Sequence, residues 1–488
     1  MDFSNFFNNN AEILLPELFF SFSIIGIIMY GGSVICDHRI LTTYTNKLSL
    51  CIVGTILLLT LNTFITDQTI LSNSFFQDNL VLNIKIILLI SVFCWFLLSE
   101  NSTLQMFEFS FLILLSLLGL ILLVMSFDFV SVYLAIELQS LCFYILASLK
   151  RNSAFSTEAG LKYFILGALA SGLLLFGCSL IYGITGTTNF ENLTNLIIEF
   201  PTNPLLILGT LCILSGIFFK LAIAPFHMWA PDVYEGSPTI VTAFFAIVPK
   251  LGVFLLLIRF FHYIFYNLPE FNYWWSYLGS ICAILSIGIG SLTAIQQKRL
   301  KRLLAYSGIG HLGYLLIGLF SSTNEGLQAI CCYFILYIVT SISIWGSLLG
   351  VNNKFAQIRF ISDLKTLFSV NPFLCLTLVM SFFSLAGVPP LAGFLAKLGI
   401  FFAGIEANFY FLVLISVFMS VISTFYYLRV IKTMIFEQMY FWNKKVLINS
   451  VTKSMSFIVT ICFISLFVLF VFPTPLYLFT YFISLTCF

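Results

Sequence analysis

Long apolar runs recur along the whole chain, and each is long enough to cross a lipid bilayer. Of the 488 residues, 60% are hydrophobic and only 9% are charged. A water-soluble globule could not cover its surface with so few polar side chains. Helical runs of about 20 apolar residues match the thickness of the hydrocarbon layer. The sequence therefore predicts an all-α polytopic membrane protein, and its net charge of +2 gives no reason to expect a nucleic-acid partner.

Hydrophobicity divides the chain into fourteen predicted spans. Their limits are 14–35, 48–65, 80–99, 108–126, 127–148, 157–183, 203–229, 239–261, 274–295, 302–320, 326–350, 371–405, 409–436 and 455–485. Spans 4 and 5 are separated only by a corner at Ser126-Phe127-Asp128. Spans 7 and 12 are long and contain prolines, so each is expected to be an interrupted helix.

Basic residues are distributed unevenly between the loops. Each loop takes the number of the span before it and is counted together with the flanking span ends. Of the 22 lysines and arginines, Arg259 is then the only one at an even-numbered loop, and most of the others lie at odd-numbered loops. Five lie farther inside predicted spans, namely Lys85, Lys162, Lys220, Lys250 and Lys397. One missing or extra span would remove this asymmetry, so it supports the predicted count. It places the odd loops on the cytoplasmic or matrix side and both termini on the opposite side.

Two lysines stand beside prolines deep within apolar runs. Lys220 precedes Pro225 by five residues in span 7, and Lys397 follows Pro389-Pro390 in span 12. A charge at the centre of a membrane helix costs roughly 3 kcal/mol on insertion scales. A proline there also frees backbone groups that only neighbouring helices or water can satisfy. Such combinations favour a functional role over a structural one.

Three further titratable groups lie in mid-span. Lys250 follows Pro249, which predicts another basic residue beside a helix interruption. Glu137 is central in span 5, where it could hold a proton or form a hydrogen bond between helices. His311 is central in span 10 among glycines, which permit close helices or a water pocket. A histidine there could relay protons or be a satisfied core group.

Two charged positions have simpler explanations. Glu158 and Lys162 are four residues apart, so they share a helix face and could form a local pair at the start of span 6. Lys162 also lies about two turns into the span, which keeps it a candidate for the row of buried groups. Lys85 is nearer a span end, and its side chain is expected to reach the interface.

The charged groups recur in two matching sets of five spans. In spans 4–8 and 9–13 the second helix carries Glu137 or His311, and the fourth is broken and carries Lys220 or Lys397. Because five is odd, the sets have opposite orientations, as in transporters with inverted repeats. The predicted domains are an N-terminal three-helix segment 1–107, five-helix repeats 108–261 and 274–436, and a C-terminal span 437–488.

The sequence gives no sign of a redox centre. Its twelve cysteines are scattered without CxxC spacing, so a disulfide network or an iron–sulfur site is not expected. No GxGxxG follows a strand, no P-loop is present, and no pair of membrane histidines suggests haem. No cofactor or metal is therefore expected in this chain, and any redox groups belong to other chains.

Several segments resemble one family closely. FFKLAIAPFHMWAPDVYEGSPTIVTAFFAIVPK, KRLLAYSGIGHLGY and SLAGVPPLAGFLAKL are similar to NADH dehydrogenase subunit 2 of mitochondrial complex I, in its long, plant-like and bacterial form. The resemblance implies a proton-pumping, antiporter-like subunit in the mitochondrial inner membrane. It also implies other membrane-arm subunits as partners, with NADH, FMN, iron–sulfur clusters and ubiquinone in other subunits. Membrane lipids such as cardiolipin are candidate partners.

The resemblance also implies a proton relay. By motif, its members are Glu137, Lys162, Lys220, Lys250, His311 and Lys397. Glu137 and Lys220 resemble the glutamate–lysine pair of the first half-channel, and His311 resembles the central bridging histidine. Two departures are visible, because Ile240 replaces a frequent proline and Gly308 replaces a usual serine. Neither departure removes a titratable group.

Three alternatives remain open at this stage. A stand-alone cation/proton antiporter would use the same broken helices and would need no flavin or iron–sulfur partners. A plastid counterpart complex would reduce plastoquinone instead. In a purely structural scaffold, the buried charges would only join helices to one another.

Overall fold

The computed structural model describes residues 11–33, 38–63, 68–100, 106–199, 203–264, 269–351, 358–365, 367–437 and 452–485. Its helices in chain order are Ala11–Ser33 (α1), His38–Asn62 (α2), Asn79–Ser99 (α3), Glu108–Met125 (α4), Phe129–Ala147 (α5), Ala154–Thr185 (α6), Phe190–Glu199 (α7), Pro204–Leu221 (α8), Trp229–Gly236 (α9), Thr239–Arg259 (α10), Pro269–Gln296 (α11), Leu300–Phe320 (α12), Asn324–Val351 (α13), Leu367–Val370 (α14), Pro372–Ala386 (α15), Ala392–Glu406 (α16), Tyr410–Ile435 (α17), Lys453–Val471 (α18) and Thr474–Leu485 (α19). A short hairpin, Gln68–Ile70 (β1) and Phe75–Gln77 (β2), joins α2 to α3.

The membrane helices match the predicted fold class. Among the described residues, thirteen helices are long and apolar enough to cross a membrane. The shorter helices α15 and α16 follow one another within predicted span 12 and account for the fourteenth. The prediction of an all-α polytopic protein is confirmed.

Both predicted interruptions are present. Helix α8 ends at Leu221, where the next residue, Ala222, has a left-handed φ of 59°, and α9 begins only at Trp229. Helix α15 ends at Ala386, where Gly387 has φ 82°. The last carbonyl groups of any helix lack partners within that helix, and an apolar run around the end leaves little water to replace them.

Two other predictions about helix continuity were wrong. Helix α10 runs without a break through Pro249, so Lys250 does not stand beside an interruption. Predicted span 14, 455–485, is two helices, because Pro473 lies between Val471 and the start of α19 and lacks the N–H needed to continue α18.

The described chain divides into two compact units. The first holds the residues up to Leu221 together with Val248–Asn272, and the second holds Ala222–Ile247 and the chain from Tyr273 onward. The four predicted domains 1–107, 108–261, 274–436 and 437–488 stay predictions.

In the first unit, glycines bring α6 and α8 into close contact. A Cβ added to Gly177 would lie 2.5 Å from the carbonyl oxygen of Gly209, and one added to Gly216 would lie 3.0 Å from that of Ala170. Small residues at such positions allow the backbones of membrane helices to approach each other. This contact fixes the position of α8, which carries Lys220.

The N-terminal helices contain a buried ion pair. Lys85 on α3 is 1% exposed, and its ammonium lies 2.6 Å from the Glu17 carboxylate of α1 and 3.5 Å from the Gln77 side-chain oxygen. The prediction that Lys85 reaches the interface was therefore wrong. Its counter-ion is 68 positions away in the sequence, and spacing alone could not reveal it.

A second buried pair closes the same unit around the hairpin. Arg259, in the last turn of α10, lies 3.4 Å from Asp78, which also caps α3 through the Val81 amide. Arg259 further donates to the Ser126 carbonyl at 3.0 Å. The single basic residue of the even loops is thus held by the hairpin and by the predicted corner at residues 126–128.

In the second unit, ion pairs join α9 to the start of α12. Arg302 pairs with Asp232, and it also pairs with Glu235 at 2.9 Å. Lys301 donates to the Ser237 carbonyl at 2.7 Å. These contacts hold the N-terminal end of α12, the helix that carries His311.

Replacing Glu17 alone should destabilise the protein strongly. Glu17→Ala would leave the Lys85 ammonium buried without its counter-ion, at a cost of about 3–5 kcal/mol. The double variant Glu17→Leu/Lys85→Met, which removes both charges, should unfold close to the wild-type temperature. Thermal unfolding in detergent measures both variants. A wild-type midpoint for Glu17→Ala would show that the pair does not stabilise the fold.

Candidate functional site

Lys220 lies at the last turn of the first broken helix. It precedes the final residue of α8, Leu221, and is 9% exposed. The unpaired carbonyl groups of a helix C-terminus carry about half a negative charge, which favours a cation there. The end of α8 therefore partly offsets the free energy that the Lys220 ammonium loses on leaving water.

The nearest polar partner of Lys220 is a tyrosine on α5. The ammonium lies 3.4 Å from the Tyr144 hydroxyl and 5.7 Å from the centre of its ring. Gly167 makes room for that hydroxyl, since a Cβ at this position would overlap with it. The ring of Tyr163 meets Tyr144 edge to face at 4.9 Å. Tyr144 was not predicted, and no pattern in the sequence distinguishes it from the other 20 tyrosines.

Glu137 lies on α5 two turns before Tyr144 and thus on the same face. Its Oε2 is 3.4 Å from the Ser140 hydroxyl, while its buried Oε1 has no hydrogen-bond partner within the described part of the chain. The carboxylate acts on Lys220 electrostatically, but no direct ion pair joins the two among the described residues. An unsatisfied buried oxygen near an ammonium is suited to an intervening water.

Lys162 is not buried with this group. Its side chain is 45% exposed and pairs with Glu158 at 2.8 Å, as the i, i+4 spacing predicts. Residues such as Gly160, Tyr163 and Gly167 occupy the packed face of α6, so Lys162 points away from it. The local pair with Glu158 is confirmed, and the place of Lys162 in a proton relay stays a prediction.

Lys250 is buried on α10, with 8% of its surface exposed. His227, in the segment between α8 and α9, is also buried, at 3% exposure, and its Nδ1 has no hydrogen-bond partner in the described residues.

His311 lies between two tyrosine hydroxyls. Its Nδ1 is 2.6 Å from the Tyr333 oxygen on α13, and its Nε2 is 3.1 Å from the Tyr427 oxygen on α17. On the other side of α12, a Cβ at Gly313 would lie 2.6 Å from Ile287 of α11. The glycines thus permit close helix packing, as predicted, and leave the imidazole facing polar groups.

Lys397 caps the second broken helix. Its ammonium donates to the carbonyl of Ala386, the last residue of α15, at 2.8 Å. It also lies 5.4 Å from the ring centre of Tyr314, which adds a cation–π contact. A Cβ at Gly387 would come within 2.9 Å of the Lys397 side chain. The lysine reaches back across the break and satisfies a carbonyl that the break exposed.

A cavity joins His311 to Lys397 within the second unit. The space in it open to water is about 20 Å³, which is room for one water molecule. Its polar lining comprises His311, Tyr333, Tyr337, Thr340, Ser384 and Lys397. Two titratable groups that are 86 positions apart in the sequence therefore face one small polar space, where a water could carry a proton between them.

Comparison with known proteins supports one family. Residues 126–423 match the family described as NADH:quinone oxidoreductase/Mrp antiporter, TM. The chain is 42% identical to NADH-ubiquinone oxidoreductase chain 2 of Marchantia polymorpha, over 97% of this chain and 98% of that one. It is 41% identical to NADH-quinone oxidoreductase subunit N of Pelagibacter ubique, over 88% of this chain and 90% of that one.

Chains of two solved membrane complexes have a similar fold. A chain of respiratory complex I from Thermus thermophilus is 26% identical, with a TM-score of 0.80, and the match covers 95% of this chain and 98% of that one. A chain of the Mrp complex from Dietzia has a TM-score of 0.80 at 19% identity, over 96% of this chain and 97% of that one, which shows a shared fold.

Gly387→Ala should destabilise the second break. A side chain at φ 82° is strained, at a cost of about 1–3 kcal/mol, and the new Cβ would displace Lys397 from the Ala386 carbonyl. Gly288→Ala is the matched control, since its Cβ would meet nothing within 4 Å, and it should unfold at the wild-type temperature or above. Equal unfolding midpoints for the two variants would contradict this account of the break.

Proposed function

Because the chain belongs to the NADH:quinone oxidoreductase/Mrp antiporter membrane family, we propose that it is a proton-translocating membrane-arm subunit of NADH:ubiquinone oxidoreductase. The relatives that bear this name match almost the whole chain. The structural observation that carries the proposal is the cavity shared by His311 and Lys397. A scaffold would have no need of two titratable groups at one buried, water-sized space.

In the first step of the proposed mechanism, Glu137 stabilises the protonated form of Lys220. The lysine is almost fully buried, and its ammonium contacts the Tyr144 hydroxyl within the described part of the chain. A desolvated ammonium is disfavoured without a counter-ion. Quinone reduction elsewhere in the complex would weaken the influence of Glu137, and Lys220 would then release its proton.

The proton would then pass by way of Lys250 and His311 to Lys397. Moving one proton against 100 mV requires roughly 2.3 kcal/mol. A hydrogen bond to a charged group is worth about 1.5–3 kcal/mol, so a change in the polar contacts of one buried lysine is on the required scale. The helix C-terminus at Leu221 favours the protonated form of Lys220, and the one at Ala386 favours the protonated form of Lys397. This holds whichever way the proton moves.

Lys162 has a different proposed place. Its half-exposed pair with Glu158 lies on the outer surface of α6, so it would exchange protons only where a neighbouring subunit covers that surface. Its replacement is therefore expected to have a smaller effect than replacement of Lys220.

The proposed location is the mitochondrial inner membrane, with the odd loops in the matrix and both termini on the other side. The distribution of basic residues supports this orientation. The proposed partners are the other membrane-arm subunits, including the neighbouring antiporter-like subunits, with cardiolipin among the lipids. NADH, FMN, iron–sulfur clusters and ubiquinone would be bound by other subunits.

The second candidate is a stand-alone cation/proton antiporter, because the description of the matching family also names the Mrp antiporter. Purification in mild detergent separates the two. Recovery in a large assembly that contains FMN and iron–sulfur clusters supports the complex I subunit, and recovery without them supports the antiporter.

Replacement of the central pair should abolish most proton pumping. Lys220→Ala and Glu137→Gln each remove one charge of the first step, and we expect pumping in vesicles that contain the assembled complex to fall about tenfold or more. Lys162→Ala, the control on the exposed face of α6, should retain most activity. Normal pumping by an assembled Lys220→Ala complex would defeat the proposal.

A further inference from the structure

Both ring nitrogens of His311 contact tyrosine hydroxyls. Nδ1 lies 2.6 Å from the Tyr333 oxygen, and Nε2 lies 3.1 Å from the Tyr427 oxygen. All three side chains are buried, with exposures of 6%, 3% and 0%. Two phenols on two different helices thus hold one imidazole from opposite ring positions.

We propose that Tyr333 and Tyr427 form a hydroxyl clamp that passes protons through His311 to the cavity that contains Lys397. The proposal rests on the proposed function. The two tyrosines differ in their surroundings, because Tyr333 lines the cavity that contains Lys397 and Tyr427 is not part of that lining. Tyr333 is therefore the outlet of the clamp toward Lys397, and Tyr427 is its inlet.

Hydroxyl groups suit this task because each can donate one hydrogen bond and accept others. A neutral imidazole has one donor and one acceptor nitrogen, so one tyrosine donates while the other accepts. An imidazolium has two donors, and both tyrosine oxygens can then accept. The clamp accommodates every protonation state of His311 without movement of a helix.

One transfer conserves protons at every group. The Tyr427 oxygen receives the proton that Lys250 releases in the proposed relay, while its own O–H proton moves to Nε2. The N–H proton on Nδ1 moves to the Tyr333 oxygen, whose former proton leaves to a water molecule, for which the cavity has room. Each oxygen gains and loses one proton, the ring changes tautomer without a net change in charge, and no electrons pass between residues. Rotation of the hydroxyls and return of the ring to its first tautomer reset the clamp.

Neighbouring aromatic residues keep the geometry in place. The Tyr426 ring lies 4.4 Å from that of Tyr427, and the Tyr337 ring lies 5.6 Å from the imidazole. The Tyr337 hydroxyl donates to the Ala246 carbonyl at 3.4 Å, which anchors this ring to the segment before Pro249.

The test uses the assembled complex in vesicles and compares Tyr333→Phe, Tyr427→Phe and His311→Ala, with Tyr306→Phe as the control. Tyr306 lies on the same helix as His311 and is only half-buried. Each clamp variant keeps its ring and loses one hydroxyl, and we expect at least a tenfold fall in the rate of proton pumping. Tyr306→Phe should pump as the wild type does.

Double variants distinguish a role in transfer from a role in packing. If the tyrosines act through His311, Tyr333→Phe should add no further loss to that of His311→Ala. Multiplied losses, or either single clamp variant pumping at more than half the wild-type rate, would overturn the clamp. If assembly of the Tyr333→Phe complex fails, Tyr427→Phe applies the same criterion from the other nitrogen. Normal pumping by His311→Ala would instead reject the proposed relay itself.

Discussion

The fold depends on how a buried ammonium is stabilised where a membrane helix ends. Lys397 donates to the final carbonyl of α15, and Lys220 lies in the last turn of α8. Each break exposes carbonyl groups that would be costly in lipid, and each lysine would be costly without them. The proline breaks and the lysines therefore compensate for each other, which explains why both recur at matching positions of the two sets of helices.

Much of this arrangement could be predicted from the sequence. Apolar length gave the helices, and the prolines after Lys220 and before Lys397 predicted the two breaks. Pro249 was misleading, because α10 continues through it. Neighbouring helices and side chains can satisfy the backbone group that a proline frees in a membrane helix. Lys85 was also misleading, since only the folded chain brings Glu17 to it. Periodicity describes one helix at a time and cannot show which distant helix supplies a partner.

The titratable residues of the candidate site could be predicted from the sequence, but the side chains that contact them could not. Buried titratable residues are rare in apolar runs, so Lys220, Lys250, His311 and Lys397 were evident and are all buried. Tyrosines are common in this chain, and nothing in the sequence distinguishes Tyr333 from the others. The position of Lys162 depends on which face of α6 carries the small residues, and that face is set by its contact with α8.

The central claim is that buried ionisable groups are connected by water so that protons can move between them. A high-resolution map of the assembled complex that resolves ordered water tests this most directly. The account predicts a water in the cavity between the Tyr333 hydroxyl and the Lys397 ammonium, and another between Glu137 and Lys220. Dry, closely packed apolar contact at both places, in every state of the working complex, would contradict it.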